Sequence, residues 1–485
     1  MPWVPRAYMR KAVKFLLEHA GAALFLDPGL GKTSITLAAI KILKEKGLLQ
    51  KVLIIAPLRV CHLVWPKEAR KWADFANLKI VVLHGPEKDR LLTEPADIYV
   101  INPEGLDWLL GVTKKKVGAR TCVTINERRL RQLNFDTLVF DELSKFKHVN
   151  TIRFKAMKLT LHTFARRWGL TGSPAANGLL DLFGQCYMLD RGRSLGPYIS
   201  HYRQAYFVNP PYSPFVWLPI AGAEKSIYKC LSPLALRMSA DDYLDMPELI
   251  VNNIRVDLPP SVMAIYEKLE NDLIARVDNR TITAANAAVA SGKCRQVANG
   301  GIYLDRELTT LGLCLPKSSR EWVNLHDEKI AALADLIDEL QGSPVLVAYE
   351  FEHDLDRLRL KFGADIPYIG GGVSTKRTAE LEAAWNKGQL PMLFAQPQSV
   401  GHGLNLQEAG YHVAWHSLTW DYELYDQFIR RVLRQGNTAK HVFVHHFIAR
   451  NTIDEVVLAT MRSKHRGQQS LFDGLTELAR RRRHA

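Results

Sequence analysis

Residues 22–40 read AALFLDPGLGKTSITLAAI, an apolar run, a glycine-containing turn and then an amphipathic stretch. The run AALFL is typical of a buried strand, and the residues from Lys32 onward are typical of a helix. Glycines between a strand and a helix allow backbone N–H groups to surround phosphate oxygens, which also face the positive end of the helix dipole. The stretch therefore predicts a phosphate-binding loop on a parallel α/β sheet.

The residues of this loop suit a nucleoside triphosphate with Mg²⁺. Lys32 is expected to reach the β and γ phosphates, and the hydroxyl of Thr33 is expected to ligate Mg²⁺. Leu26 occupies the first glycine position of the strict GxxxxGK[ST] pattern, so the pattern is incomplete, although GLGKT between a strand and a helix is still specific. The residues predicted to bind ATP here are Gly29, Leu30, Gly31, Lys32, Thr33 and Ser34.

Similar apolar runs recur between amphipathic stretches in two parts of the chain. Strands that alternate with helices indicate a parallel α/β fold, so the sequence predicts two α/β lobes with helical insertions. The predicted strands lie at 22–26, 52–56, 98–101 and 137–140 in the first lobe, and at 345–349, 392–395, 412–415 and 441–447 in the second.

A chain of 485 residues exceeds the usual size of one hydrophobic core, which also favours several domains. The predicted domains are an N-terminal lobe at 1–235 with a helical protrusion at about 178–235, a connector and helical insertion at 236–325, a C-terminal lobe at 326–465 and a basic tail at 466–485. The alanine-rich stretch that starts at Tyr266 is expected to be helical.

The composition excludes several classes of protein. No apolar run approaches the roughly 20 residues of a membrane span, so no membrane partner is expected. The N-terminus carries no secretory signal pattern, and the six cysteines form no CxxC pair, which argues against a disulfide framework or a structural zinc. Sixty-four Lys and Arg against 50 Asp and Glu give a net charge of +14, which would attract a polyanion.

A second group of candidate residues follows the predicted strand TLVF. Asp141 and Glu142 come directly after it, at the carboxyl end of a parallel strand, where ligands collect. Asp141 suits coordination of Mg²⁺, and Glu142 suits activation of a water molecule. LTGSP follows another predicted strand, where the hydroxyls of Thr171 and Ser173 could bond these carboxylates and couple hydrolysis to movement of the lobes.

Two arginines in the second lobe are candidates for charge stabilisation. In YDQFIRRVLRQGN, the spacing of Arg431 and Arg434 predicts that they share one face of a helix. An arginine that reaches the γ phosphate stabilises charge in the transition state and can be worth about 10³ to 10⁵ in rate. A solvated basic helix is the alternative interpretation.

Two further basic segments are open to more than one interpretation. Lys114 to Lys116, followed by Glu127 to Arg131, indicate a basic loop or helix inserted before TLVF. This insertion is either a solvated face or a contact with phosphates. Arg480 to Arg483 are more typical of a disordered basic end that adds nonspecific affinity for DNA.

In this order, the segments resemble those of helicase superfamily two, and within it the Swi-Snf-type ATPases, including compact versions that occur in bacteriophage genomes. The resemblance covers about residues 5–465. DPGLGKT resembles motif I, APLRVCHLVWPKEARKW motif Ia, DELSKFK motif II and LTGSP motif III. In the second half, GKCRQVANGGIY resembles an element of this family, SVGHGLNL resembles motif V, and QFIRRVLRQGN resembles the QxxxRxxRxGQ motif VI.

The resemblance implies two RecA-like parallel-sheet lobes with helical insertions, an ATP cleft between them, and duplex DNA held mainly by its backbone. It adds Gln427 and Gly403 to the nucleotide-binding residues. The catalytic residues that it implies are Lys32, Asp141, Glu142, Arg431 and Arg434. The nucleic-acid contacts that it implies are Arg59, Lys145, Lys147, Lys293, Arg295, Ser399 and His402.

Several positions depart from the family pattern. Leu143 and Ser144 replace the usual Ala-His after the DE pair, and Asn437 replaces the final Gln of motif VI, which leaves the catalytic residues in place. Met9 stands where a glutamine that reads adenine is expected, so the selectivity for adenine is open.

We therefore expect an ATP hydrolase that uses ATP and Mg²⁺ to translocate on or remodel double-stranded DNA, in the cytoplasm of a bacterial or phage-infected cell. A helicase that separates strands of DNA or RNA is the first alternative, and single-stranded DNA or RNA would then be the partner. A non-catalytic nucleic-acid-binding subunit with a regulatory ATP site is the second. A partner protein from replication, recombination or repair is compatible with each.

Overall fold

A computed structural model of the protein describes residues 1–118, 120–210, 217–271, 274–277, 280–283, 287–304, 321–400 and 403–481. The chain divides into two compact units. The first contains Met1–Asp245 and Lys464–Ala485, and the second contains Met246–Ser463. In the described ranges, no helix is both long and apolar enough to cross a membrane.

The first unit is built on a parallel sheet. Its strands are β1 (Gly21–Leu26), β2 (Val52–Ile55), β3 (Ile80–Val82), β4 (Ile98–Ile101), β5 (Thr113–Val117), β6 (Arg120–Thr124), β7 (Thr137–Asp141), β8 (Arg166–Thr171), β9 (Phe207–Val208), β10 (Leu218–Pro219) and β11 (Ala235–Met238). Seven of them form one sheet in the order β11-β1-β8-β7-β2-β4-β3, and every neighbouring pair in it is parallel. The pairs β5–β6 and β9–β10 are antiparallel.

Helices connect these strands. They are α1 (Ala7–Glu18), α2 (Lys32–Glu45), α3 (Leu58–Leu63), α4 (Trp65–Lys71), α5 (Lys88–Thr93), α6 (Leu106–Leu110), α7 (Glu127–Leu133), α8 (Ile152–Thr160), α9 (Asp181–Asp190), α10 (Ile199–Tyr206) and α11 (Ala223–Leu231). Short 3₁₀ turns lie at Ala73–Phe75, Pro103–Gly105, Leu143–Phe146 and Leu161–Thr163.

The order of the strands places the predicted site residues side by side. β1, β8 and β7 are consecutive neighbours, with Phe25 opposite Thr171 and Leu170 opposite Asp141. Because neighbouring parallel strands end at the same edge, the phosphate-binding loop after β1, the hydroxyl of Thr171 and the Asp141–Glu142 pair share the carboxyl edge of the sheet.

The second unit repeats the parallel design. Its elements are β12 (Glu248–Val256), α12 (Pro260–Asn271), β13 (Ile274–Val277), β14 (Arg280–Thr283), α13 (Ala287–Asn299), β15 (Gly301–Tyr303), β16 (Trp322–Asn324), α14 (Glu328–Glu339), β17 (Val345–Ala348), α15 (Glu352–Phe362), β18 (Tyr368–Ile369), α16 (Thr375–Asn386), β19 (Met392–Ala395), α17 (Pro397–Val400), β20 (His412–Trp415), α18 (Tyr422–Ile429), β21 (His441–Ala449) and the start of α19 (Ile453–Arg481). The rest of α19, from Lys464, belongs to the first unit. Six strands form a parallel sheet in the order β12-β21-β20-β17-β19-β18.

The α/β class and the two parallel sheets confirm the prediction from the sequence, but the segments between the sheets differ from it. The predicted connector contributes an edge strand to each sheet, β11 to the first and β12 to the second. The stretch expected to be helical after Tyr266 is interrupted by the antiparallel pair β13–β14, whose residues include the β-branched run Thr281–Thr283. Instead of a disordered tail, the structure shows a helix that continues to Arg481.

Candidate nucleotide and nucleic-acid site

The phosphate-binding loop has the backbone conformation that its glycines predict. Gly29 and Gly31 have φ values of 93° and 77°, a left-handed region that other residues adopt at a cost. Gly31 is the N-cap of α2, and a Cβ added to it would lie 3.0 Å from the terminal methyl of Met9. The Lys32 ammonium donates to the carbonyl of Leu26 at 2.7 Å, so the residue at the incomplete position of the motif holds the lysine through its backbone.

A buried ion pair fixes the start of this loop. The carboxylate of Asp27 lies 2.8 Å from the guanidinium of Arg237 and accepts the amide of Ala240 at 3.0 Å. Arg237 also donates to the carbonyl of Phe25 at 3.1 Å. Asp27 is 3% exposed, so this charge is stabilised by its partners and not by water. No local sequence pattern predicts this ion pair, because 210 positions separate the two residues in the chain.

Asp141 is half-buried and accepts a hydrogen bond from a tryptophan. The indole Nε1 of Trp65 donates to its Oδ2 at 2.8 Å, and Trp65 is fully buried. Burial, together with the neighbouring charge of Glu142, raises the pKa of Asp141 to about 6, although Trp65 and Lys32 oppose the shift. A carboxylate and the nearby hydroxyl of Thr33 are oxygen ligands that suit Mg²⁺, which usually takes one or two carboxylates besides phosphates and water.

Glu142 has an uncommon backbone conformation. Its φ is 72°, which is rare for a residue with a side chain and is often found at functional sites. The conformation directs its Oε1 to two hydroxyl donors, Ser144 at 2.9 Å and Thr171 at 2.8 Å. Ser173 enters the same group of residues through its amide, which donates to Thr171 Oγ1 at 3.2 Å. The residues after β7 and β8 thus form one hydrogen-bonded cluster.

In the second unit, the arginines of the predicted motif VI do not share a helix face. α18 ends at Ile429, and irregular turns follow, so the expectation of a continuous helix through Arg431 and Arg434 is wrong. Besides local turn bonds, Arg431 makes tertiary bonds to the predicted motif V. Arg431 donates to the carbonyl of Leu404 at 3.1 Å, and its own carbonyl accepts the amide of Leu406 at 3.1 Å.

Arg434 and the other predicted residues of this unit lie close to the same segment. The guanidinium of Arg434 donates to the side-chain oxygen of Asn405. The backbone amide of Asn405 donates to the carboxylate of Glu382 at 2.7 Å. Gly403 has a φ of 85°, and Gln427 is buried and donates to Glu423 at 3.3 Å. The structure therefore brings the predicted motifs V and VI together.

The predicted nucleic-acid contacts differ in their exposure to solvent. Lys145 is exposed, whereas Arg59 and Ser399 are half-buried. The ammonium of Lys147 lies 3.4 Å from the carboxylate of Asp181, with both side chains largely covered, so its charge is already paired within the protein. His402 lies outside the described residues.

Lys293 and Arg295 do not have the surroundings expected for phosphate contacts. Both are 9% exposed. Lys293 donates to the carbonyl of Tyr303 at 2.6 Å, and Arg295 pairs with Glu350 and donates to the carbonyl of Leu418. Lys293 thus connects α13 to β15, and Arg295 connects it to the segments after β17 and β20.

A buried polar network in the second unit was not predicted. Asp354 is fully buried, and its Oδ2 accepts the hydroxyl of Ser417 at 2.6 Å and the side-chain amide of Asn299 at 3.1 Å. Its Oδ1 lies 3.2 Å from His353 Nδ1. Burial opposes ionisation, but His353 and His416 hold the pKa of Asp354 well below its usual range. The network joins Asn299, at the end of α13, to Ser417, which precedes α18.

Comparison with known proteins defines the class of this protein. Residues 8–301 match the profile of the SNF2-related domain, and residues 328–436 match that of the helicase conserved C-terminal domain. The two units thus carry helicase-like ATPase domains. The chain belongs to the SNF2 family.

Several relatives show how far the similarity extends. Protein p41 of Acyrthosiphon pisum secondary endosymbiont phage 1 is 33% identical over 98% of this chain and 99% of its own length. The CHD3-type chromatin-remodeling factor PICKLE of Arabidopsis thaliana is 23% identical over 90% of this chain, and the human DNA annealing helicase and endonuclease ZRANB3 is 23% identical over 97%. This chain spans 32% of the length of PICKLE and 40% of that of ZRANB3.

One solved structure is similar along nearly the whole chain. It is the SWI2/SNF2 ATPase core of Sulfolobus solfataricus in complex with double-stranded DNA. It is 22% identical, covers 97% of this chain and 95% of its own, and has a TM-score of 0.43.

Proposed function

We propose that this protein hydrolyses ATP with Mg²⁺ and uses the energy to move along or remodel double-stranded DNA. The observation that carries the proposal is the hydrogen bond from Thr171 to Glu142 at 2.8 Å. It joins the carboxylate of Glu142, which suits activation of water, to Thr171 at the end of the neighbouring strand β8. A displacement of that strand end would therefore alter the carboxylate directly, which is what a motor requires.

Each of the predicted catalytic residues receives a role by its chemistry. Lys32 neutralises charge on the β and γ phosphates, Glu142 accepts a proton from the attacking water, and Arg431 and Arg434 stabilise charge on the γ phosphate. Thr33 and Asp141 would hold Mg²⁺, which supplies further neutralisation of phosphate charge when bound.

Duplex DNA is the proposed track for two reasons. Relatives of this chain are named as a chromatin-remodeling factor and as a DNA annealing helicase and endonuclease, and the second name states an action on DNA. The net charge of +14 also favours association with a polyanion.

We expect duplex DNA to raise steady-state ATP hydrolysis by about tenfold or more over Mg²⁺-ATP alone, because a coupling of 1 to 3 kcal/mol between two sites has effects of about this size. The assay compares duplex DNA, single-stranded DNA and RNA, with Lys32→Ala as the blank. ATP-dependent displacement of the third strand of a DNA triplex, without separation of the duplex, would report translocation. Equal or stronger stimulation by single strands, or no turnover in any condition, would contradict the proposal.

Trp65 should act as a positioning residue for Asp141. Trp65→Phe keeps an aromatic ring in a fully buried position and removes only the donor at 2.8 Å from Oδ2. A hydrogen bond to a charged group is worth about 1.5 to 3 kcal/mol, so we expect the Mg²⁺ concentration for half-maximal hydrolysis to rise by about tenfold. Trp72→Phe is the matched control, because Trp72 donates to Glu68 at 2.8 Å. An unchanged Mg²⁺ dependence in Trp65→Phe would refute this role.

A further inference from the structure

The insertion before β7 carries an unusual share of the charge of the chain. Residues 111–133 contain seven Lys and Arg and one acidic residue, Glu127, so their net charge is +6 out of +14 for 485 residues. The structure shows a two-stranded hairpin, β5–β6, followed by α7. We call residues 111–133 the basic insertion. None of the roles proposed above uses it.

Specific contacts hold the insertion against the first unit. Lys114 pairs with Asp107 at 2.6 Å, and Lys155 of α8 donates to the carbonyl of Thr121 at 3.3 Å. Val123 and Ile125 pack against the hydrophobic core beneath. The hairpin is therefore a docked element with a defined inner face.

Three basic residues of the insertion take no part in the contacts that hold it against the first unit. Lys115, Lys116 and Arg128 are exposed. Within the part of the chain that the structure describes, no carboxylate lies in ion-pair distance of these three residues. Arg129, by contrast, lies over the ring of Trp108 at 5.1 Å and 3.9 Å from Asp89. Lys115 and Lys116 are consecutive on β5, and Arg128 lies in the first turn of α7. Charges without carboxylate partners add no ion pair to the stability of the fold, so they are better explained by a ligand.

The place of the insertion in the fold relates it to the proposed DNA contacts. It follows β4 through a 3₁₀ turn and the five-residue helix α6. β4 is the sheet neighbour of β2, and the segment after β2 carries Arg59. Because these strands are parallel, both segments leave the carboxyl edge of the same sheet. A polyanion bound at Arg59 would thus lie at the edge of the sheet from which the insertion departs.

The composition of its exposed part favours phosphates over an acidic protein. A stable protein–protein interface needs buried aromatic or aliphatic anchors at its centre. Val123 and Ile125, the apolar residues named above, are instead used to dock the hairpin. Contacts to a nucleic-acid backbone need only positive charge and hydrogen-bond donors, because duplex DNA carries one charge per about 1.7 Å of its axis.

We infer that the basic insertion is an auxiliary binding surface for the phosphate backbone of DNA, in which Lys115, Lys116 and Arg128 contact phosphates. The surface lengthens the DNA footprint of the first unit and takes no part in ATP chemistry. The inference rests on the proposed function, since it takes DNA as the ligand.

The test compares a triple variant, K115Q/K116Q/R128Q, with the wild-type protein and a control that loses the same charge. The control is K46Q/K225Q/K229Q, in which all three lysines are exposed. Lys225 and Lys229 lie on α11, which precedes β11, and β11 is the edge strand at the other end of the sheet from β4 and β3. Binding of a 40-base-pair duplex is measured by fluorescence anisotropy between 50 and 300 mM salt, together with thermal unfolding of each variant.

We expect the triple variant to bind about 10- to 100-fold more weakly at 0.1 M salt, since each lost phosphate contact removes about 0.9 from the slope of log affinity on log salt. The slope should fall by about 2 to 3, with turnover at saturating DNA unchanged and the control like the wild type. A charge-preserving variant, K115R/K116R/R128K, should restore binding.

Two failures can be told apart. If the wild-type protein is stimulated by duplex DNA and the triple variant matches the control in affinity and slope, the insertion does not contact DNA, and an acidic protein becomes the better ligand. If duplex DNA neither binds nor stimulates the wild-type protein, the proposed function itself fails, and the inference fails with it.

Discussion

Replacing Glu142 with Gln should lower ATP turnover at saturating duplex DNA by about 10³-fold, because general-base catalysis contributes about 10² to 10⁴ in rate. Gln has nearly the same shape, and its side-chain carbonyl can still accept the hydroxyls of Ser144 and Thr171, which now donate to Oε1. The amide cannot take a proton from water. The variant should therefore fold, bind ATP and stop before hydrolysis.

The measurement pairs steady-state turnover with equilibrium binding of ATP to the same preparation. Glu45→Gln is a suitable control, because Glu45 is exposed and pairs with Lys41 at 3.6 Å, away from the loop after β1. Retained ATP affinity with lost turnover supports the proposed role. Turnover like that of the wild type in Glu142→Gln would remove Glu142 from the chemistry.

Acidification should destabilise the second unit far more than the first. Six described histidines of the second unit are each less than a tenth exposed, and five of them have a lowered pKa: His326, His412, His416, His445 and His446. Burial lowers the pKa of His416 to about 3 and that of each of the others to about 4. The described histidines of Met1–Asp245 are instead exposed or half-buried.

The direction of the effect follows from which state binds protons first. In the unfolded chain these histidines titrate near pH 6.5, so between about pH 6.5 and 4 the unfolded state holds more protons than the folded one. Stability is full above pH 6.5 and falls as the pH decreases towards 4. At pH 5 each of these histidines lowers the free energy of unfolding by about 2 kcal/mol. Together they remove a large share of the roughly 5–15 kcal/mol that stabilises a domain.

Hydrogen exchange at pH 7.5 and 5.0, corrected for intrinsic rates, can follow both units in one sample. We expect the opening free energy of peptides from β20 and β21 to fall by several kcal/mol, and that of β1 and β7 to change less. The double variant H412Q/H445Q should have a shallower pH slope even if it is less stable, whereas H162Q/H201Q, which changes exposed residues, should not. Equal pH slopes in both units would show that the buried histidines are not responsible.

The sequence predicts the central strands of both sheets well and the edges poorly. β1, β2, β4 and β7 lie within a residue or two of their predicted ranges, because strands buried on both faces are continuous apolar runs. β12, whose residues are mostly exposed or half-buried, has no such run and was assigned to a connector. The formation of an edge strand depends on pairing with a strand that is distant in the chain, and a local sequence pattern does not show that pairing.

In the candidate site, too, local sequence motifs are predicted well and contacts between distant residues are not. The loop at Lys32 and the Asp141–Glu142 pair are local motifs, and the sequence places them correctly at the ends of strands. The indole of Trp65 on Asp141 joins residues 76 positions apart, so only the fold reveals it. The burial of Lys293 is likewise visible only in the fold, because a basic residue in a motif gives no sign of whether its side chain is exposed or buried.

The pairing of β12 with β21 also constrains the order in which the protein folds during synthesis. Glu248 pairs with His441, and the nine pairs continue to Val256 with Ala449. While the ribosome synthesises the nearly 200 residues between them, β12 has no partner on this edge. Leu249 and Val251, which remain about two-fifths exposed even in the folded state, then offer an apolar strand edge to other chains. We therefore expect nascent chains shorter than about 450 residues to depend on chaperones, and C-terminal truncations before β21 to aggregate instead of leaving a smaller folded unit.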